Sequence, residues 1–262
     1  MTAMTTSLSN NTCATIRETV SSQEWQVRVD LAAAYRLVAL FGWDDLVFTH
    51  ITAKVPGTPH FLINPYGAMF EEVTASSLVK IDIHGSKVPP LSDAEVNPAG
   101  FVIHSCIHAA RSDAHCVLHT HSLNGVAVSA QKEGLLPISQ FAMSVLHSLS
   151  YHDYEGFALT EEEKPRLARD LGSSRFLMLR NHGLLTVGGS VAEAFLGMHR
   201  FEAACMVQVR AQSGGAALID IPGAILGRAR EQLIQVRNGR GAELVWPGLL
   251  RRLDRRLPGY DS

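Results

Sequence analysis

His115-Cys-Val-Leu-His-Thr-His121 has period-two patterning and reads as a buried strand. On such a strand His119 and His121 project from the same face, so both imidazoles can point at one ion. Further along, Phe176-Leu-Met-Leu-Arg180 reads as a second strand that ends at Asn181-His182-Gly183. Gly183 is expected to supply a positive-φ turn that presents His182. Three neutral imidazoles leave a coordination position open, as a catalytic divalent metal requires. A bare His-x-His is also consistent with hydrogen-bonded core histidines, so the surrounding sequence has to decide. Cys116 lies beside these ligands but alternates with His119 across the pleat, which favours packing over ligation.

Away from this strand, the composition points to one buried core. Of 262 residues, 46% are apolar and only 18% charged, which suits a unit over about 23–215 with terminal extensions. A formal charge of −2 argues against a protein built to hold nucleic acid. No apolar run approaches membrane-spanning length, so no membrane partner is expected. Residues 1–22 lack the apolar stretch of a signal peptide and read as a flexible Ser/Thr/Asn-rich tail. The four cysteines have no framework spacing, which suggests reduced thiols and a cytoplasmic location.

Local signals place the elements. A helix is expected over about 28–41, with Asp30 capping its early turn and Gly42 ending it. Strand-like runs follow at 46–53, 60–64 and 79–83. Asn97-Pro98 opens a helix to about Arg111. Capping-box spacings at Thr160/Glu163 and Ser190/Glu193 start helices over 161–171 and 191–212, with strands 176–181 and 184–187 between them. Helices and short strands without regular β-α-β alternation suggest a layered sheet covered by helices. Residues 228–262 carry eight arginines against four acids, and 216–262 reads as a solvated helix plus a basic arm packing on a neighbouring subunit.

Several segments together resemble the class II aldolase/adducin superfamily. They are Gly-Trp-Asp-Asp-Leu-Val-Phe-Thr-His-Ile-Thr-Ala-Lys-Val-Pro-Gly (42–57), Phe-Leu-Ile-Asn-Pro-Tyr-Gly (61–67) and Phe-Glu-Glu-Val-Thr-Ala-Ser-Ser-Leu-Val-Lys (70–80). Asn-Pro-Ala-Gly-Phe-Val-Ile-His (97–104), the His-Thr-His (119–121), Gly-Leu-Leu-Pro-Ile-Ser (134–139), Tyr-His-Asp-Tyr-Glu-Gly (151–156) and Leu-Arg-Asn-His-Gly-Leu (179–184) follow in order. The flavour is that of adducin heads and their bacterial relatives. The resemblance implies an α/β fold, a three-layer α/β/α sandwich around a mostly antiparallel sheet, assembled as a cyclic homotetramer with active sites between subunits. It also implies one divalent metal per subunit, zinc foremost with Fe(II) or Mn as alternatives, held by His119, His121 and His182.

Three parts of the aldolase machinery look altered. Counted back without gaps from His119, the aldolase glutamate falls on Gly100, and the nearest upstream carboxylate is Glu95. The aldolase tyrosine falls near Gln140-Phe141, neither of which donates a proton as a phenol does. Thr49-His50 replaces a Gly-Asn-type phosphate turn. The remaining candidates are His50, Glu95 and Tyr66 as catalytic groups, with Asn64, Gly67, Ser76, Ser77, His104 and Glu155 contacting substrate. Thr74, Ser76 and Ser77 read as a helix start whose N–H groups favour an anion, or as simple capping. His104 and His108, at i and i+4, share a helix face; a second metal site is one reading, His104 lining the pocket another.

The expected function is a metal-dependent lyase that breaks a C–C bond beside a carbonyl in a small keto or hydroxy acid. Decarboxylation needs fewer protein acids than retro-aldol cleavage and fits the altered machinery slightly better. A non-haem Fe(II) oxygenase acting on an aromatic α-keto acid uses the same triad. A non-catalytic adducin-like interaction domain is the third reading.

Overall fold

The structure is a computed structural model that describes residues 15–156, 161–237 and 240–262. In chain order the elements are α1 (Ile16–Thr19), α2 (Ser22–Phe41), β1 (His50–Lys54), β2 (Phe61–Ile63), β3 (Val79–Ile81), α3 (Pro98–Ala110), β4 (Cys116–Thr120), α4 (Leu123–Ser129) and α5 (Gln140–Leu146). They continue with β5 (Leu149–His152), α6 (Lys164–Leu171), β6 (Phe176–Leu179), β7 (Gly183–Gly188), α7 (Val191–Ser213), α8 (Gly223–Leu226), α9 (Ala229–Arg237) and α10 (Gly241–Arg256). The strands form one sheet in the order β3-β2-β1-β4-β7-β6-β5. Every pair is antiparallel except β5 with β6.

Alternation along the central strands builds the layers. Cys116 and Leu118 of β4, Phe176 and Met178 of β6 and Leu184 of β7 face one core, shared with α2, α7 and α10. Val117, Leu177, Leu179, Leu185 and Val187 face the other, under α3 and α6. Both faces of the sheet are therefore covered, as its near-continuous apolar strands require. No helix among the described residues is long and apolar enough to cross a membrane.

Several boundaries differ from expectation. Helix α2 starts at Ser22, because Ser21 caps it by accepting the Glu24 N–H at 3.1 Å. Asp30 is consequently mid-helix, where it accepts from Trp246 Nε1 at 2.9 Å instead of capping. Gly42 ends the helix as expected, with φ 69°. Part of the expected tail is ordered, since Thr15 and Glu18 box the short helix α1; residues 1–14 lie outside the described residues, as does the expected cap Thr160. Strand β1 begins only at His50, because the chain turns at Leu46 with φ 52°. Helices α4 and α5 and strand β5 were not anticipated.

Thr74–Ser77 is a turn and not a helix start. Ser77 N donates to Thr74 O, while the Ala75 and Ser76 N–H groups are taken by Tyr260 O and Ser262 O at 2.9 and 3.0 Å. The segment expected to reach a neighbouring subunit packs here on its own chain. Trp246, Leu253 and Tyr260 join the larger core, and the Arg36 guanidinium binds the carbonyls of Leu257, Pro258 and Gly259.

Candidate metal centre

Strand β4 delivers His119, the residue just past its end is His121, and the turn between β6 and β7 delivers His182. The three rings form a near-equilateral triangle, with centroids 4.7, 4.8 and 4.8 Å apart. Their ligand nitrogens all lie within 4.8 Å of one another. The turn works differently from expectation. Asn181, not Gly183, has the positive φ, 56°, a conformation asparagine tolerates better than most residues. Gly183 is needed for proximity: a Cβ there would collide with Thr120 O and come 3.3 Å from the His121 ring.

Outer partners fix the tautomers of two ligands. His119 Nδ1 lies 2.9 Å from Leu184 O and must carry the proton it donates. His121 Nδ1 likewise lies 2.9 Å from Asp45 Oδ2. Both Nε2 atoms are then bare acceptors, yet they sit only 2.9 Å apart. Two facing lone pairs repel, and a shared proton or a metal ion relieves that repulsion. This donor set fits a divalent metal with imidazole ligands and an orienting carboxylate–histidine pair. Burial, with the neighbouring imidazoles, holds His119 well below the usual histidine range and His182 down to about 4, so both are unprotonated at neutral pH.

Asp45 was missed by sequence reasoning, although it stands in the quoted Gly-Trp-Asp-Asp segment. Tyr154 was missed as well. It is half exposed, and its ring centroid lies 6.4 Å from that of His182.

Behind the triad runs a file of buried imidazoles. His50 lies 5.8 Å from His119 and 4.1 Å from His104, centroid to centroid. His108 Nδ1 donates to Ala114 O, so its Nε2 accepts the Thr52 hydroxyl proton at 2.7 Å. Thr52 Oγ1 in turn accepts from His104 Nδ1 at 2.8 Å. The hydroxyl thus stands where a metal shared by His104 and His108 would have to be, and that reading is withdrawn. His104 is fully buried behind His50 and does not line the opening. His50 Nδ1 and Nε2 and His104 Nε2 are buried without hydrogen-bond partners. Burial, then the His121 and His182 rings, lowers His50 to about 3.

The other candidates are dispersed. The Glu95 side chain is 83% exposed and paired with Lys87 at 3.9 Å, away from the triad. Tyr66 is exposed, its N–H bonded to Glu95 O at 2.8 Å, and Gly67 makes the following turn with φ 90°. Asn64 is buried and structural. The Tyr35 hydroxyl accepts the Ile51 N–H at 2.7 Å and shares its proton between Ile51 O and Asn64 Oδ1, at 2.6 and 2.7 Å. Glu155 pairs with Arg166 and lies 3.9 Å from His152, which anchors the turn after β5. Ser76 and Ser77 have their N–H groups occupied within the chain.

Residues 29–209 match the family model described as Class II Aldolase and Adducin N-terminal domain. The chain belongs to this family. Among family members, a Pseudomonas aeruginosa protein with a provisional aldolase class 2 name is 61% identical over 250 residues, covering 94% of this chain and 96% of that protein. Rat (Rattus norvegicus) alpha-adducin is 47% identical over 228 residues, 84% of this chain but only 31% of adducin. An aldolase II superfamily structure from Pseudomonas syringae superposes with TM-score 0.90 at 49% identity, covering 95% of this chain and all (100%) of that one. L-fuculose 1-phosphate aldolase from Glaciozyma antarctica superposes with TM-score 0.73 at 28% identity, covering 85% of each chain. The mostly antiparallel, helix-covered sheet is that of class II aldolases, and the match to the family model lies inside the 23–215 unit read from the sequence.

Proposed function

We propose that the chain is an aldolase-type lyase that depends on a divalent metal held by His119, His121 and His182 and cleaves a C–C bond beside a carbonyl in a small keto or hydroxy acid. The observation that carries this reading is the convergence of three imidazoles, their ligand nitrogens within 4.8 Å of one another and two of them held through Nδ1 by outer partners. Zinc suits the all-nitrogen set, with Fe(II) or Mn as alternatives. The chemistry such a centre supplies when loaded is Lewis acidity towards a carbonyl oxygen.

The chain's own groups set the rest. Asp45 fixes His121 and sits near the opening, its side chain 43% exposed. Tyr154, beside His182 and half open to solvent, is placed to donate a hydrogen bond to a substrate oxygen. His50 is buried with an unpartnered ring nitrogen and is neutral at pH 7, so it can accept a hydrogen bond from a group entering next to His119. Glu95 serves as the base only if loop 91–99 moves. With no carboxylate at position 100, decarboxylation asks less of this site than retro-aldol cleavage. The family relationship also supports a homotetramer, in which a neighbouring subunit would complete the pocket.

Elemental analysis of protein purified without added metal, followed by keto-acid turnover measured with and without oxygen, tests the reading. Near-stoichiometric metal and oxygen-independent release of CO₂ or an aldehyde support it. Oxygen uptake coupled to turnover would replace it with the oxygenase. Absence of metal before and after titration would leave an interaction domain, the reading that the likeness to alpha-adducin supports.

A further inference from the structure

A cavity of about 340 Å³ lies at the opposite end of β6 from the triad. Its floor is Phe176, the first residue of β6, whereas His182 follows the last. One wall is a stripe of α7, Glu193, Leu196, Gly197 and Arg200, spaced i, i+3, i+4, i+7 and so on one helix face. Arg230 and Ile234 of α9, with Arg175 and His147, also line the cavity.

The charge in this cavity is one-sided. Three guanidiniums meet one carboxylate, Glu193, which stands 3.8 Å from Arg175 and also accepts the Gly189 N–H. Neither Arg200 nor Arg230 has an ion-pair partner among the described residues. His147 feels the excess: burial, then Arg175 and Arg230, push it below its usual range, so it adds a neutral imidazole. Like charges gathered around a concavity focus a positive potential into it. The non-polar remainder, Phe176, Leu196 and Ile234, suits the body of a small molecule, and the volume lies within the range of small-ligand pockets.

We propose that this cavity binds a small doubly charged oxyanion, a phosphate monoester or a dicarboxylate, held by Arg200 and Arg230 with its body against Phe176 and Leu196. Guanidinium forks match either head group. The triad plays no part in this site, which would let such an anion bind beside the substrate of the metal centre without competing for it.

Calorimetric titration of the full chain with phenyl phosphate, inorganic phosphate and succinate tests the assignment, using wild type, Arg200→Gln, Arg230→Gln and His119→Ala. At least one dianion should bind at one site per chain, about tenfold more weakly in each arginine variant and unchanged in His119→Ala. The phenyl phosphate and succinate arms tell an ester from a dicarboxylate. Arg230 is exposed, so its substitution should leave thermal unfolding unaltered even if Arg200→Gln misfolds. The assignment falls if no dianion binds. It falls equally if binding is lost in His119→Ala yet kept in both arginine variants. A sedimentation mass that drops in Arg230→Gln, with no dianion bound, would show that a second copy of the chain fills the cavity and would also overturn it.

Discussion

The Gly100 backbone abuts the His50 imidazole, so closely that a Cβ at position 100 would stand 2.5 Å from Nδ1. Position 100 is where the aldolase glutamate falls by ungapped counting, and no side chain fits there while His50 keeps its place. Gly100→Ala should cost about 1–3 kcal/mol through overpacking, read from urea unfolding. Gly100→Glu should be destabilised further and gain no activity, because its carboxylate has to displace the ring first. A Glu variant as stable as wild type would show that His50 moves freely.

Asp45 and His121 make a second test. Asp45→Asn keeps the shape but weakens the charge-assisted bond to Nδ1. Metal affinity should fall about 10–100-fold, measured by chelator competition. His121→Ala should release the metal altogether while unfolding stays cooperative. Retention of metal in His121→Ala would remove the triad from the site.

Gly183→Ala should be among the most damaging single methyl additions. Its Cβ meets Thr120 O, a backbone atom in the β4–β7 ladder that no rotamer change can relieve. A loss of about 2 kcal/mol or more is expected, with weaker metal binding. Asn181→Gly, by contrast, should be nearly neutral, since glycine accepts the φ of 56°.

How far the site was legible follows from the same residues. The His119/His121 pair was readable because a strand's period is fixed, and His182 because it stands at the turn that ends a second strand. Asp45 was overlooked because its partner is distant in sequence. The role given to Gly183 confused two reasons for glycine, a positive φ and a close approach, which sequence alone does not separate. Asn64 and His104 carry the chemistry of ligands but are consumed by Tyr35 and Thr52, partners that only the fold brings near. The Thr74–Ser77 turn was misread for a related reason, since its N–H groups are claimed by residues almost two hundred positions later.

Acid should destabilise the protein through its buried histidines. Burial holds His108 down to about 3, against 6.5 for a free histidine. Above pH 6.5 both folded and unfolded states are neutral at this residue and it has no effect. As pH falls below 6.5 the unfolded chain takes up a proton that the folded chain refuses, so stability declines until about pH 3. The slope should approach about 1.4 kcal/mol per pH unit for each such group. Urea midpoints at pH 7, 6 and 5 measure it; a flat profile would mean that water reaches the imidazole file.

The clamp of Arg36 on Leu257, Pro258 and Gly259 bears on how the molecule is made. Helix α2 leaves the ribosome well before its partners, because the carbonyls its guanidinium binds are synthesised 221 to 223 residues later. At ordinary elongation rates that interval is roughly 10–45 s. Throughout it the guanidinium has only the Val73 carbonyl of its final partners, so an early helix waits on the end of the fold for its last contacts.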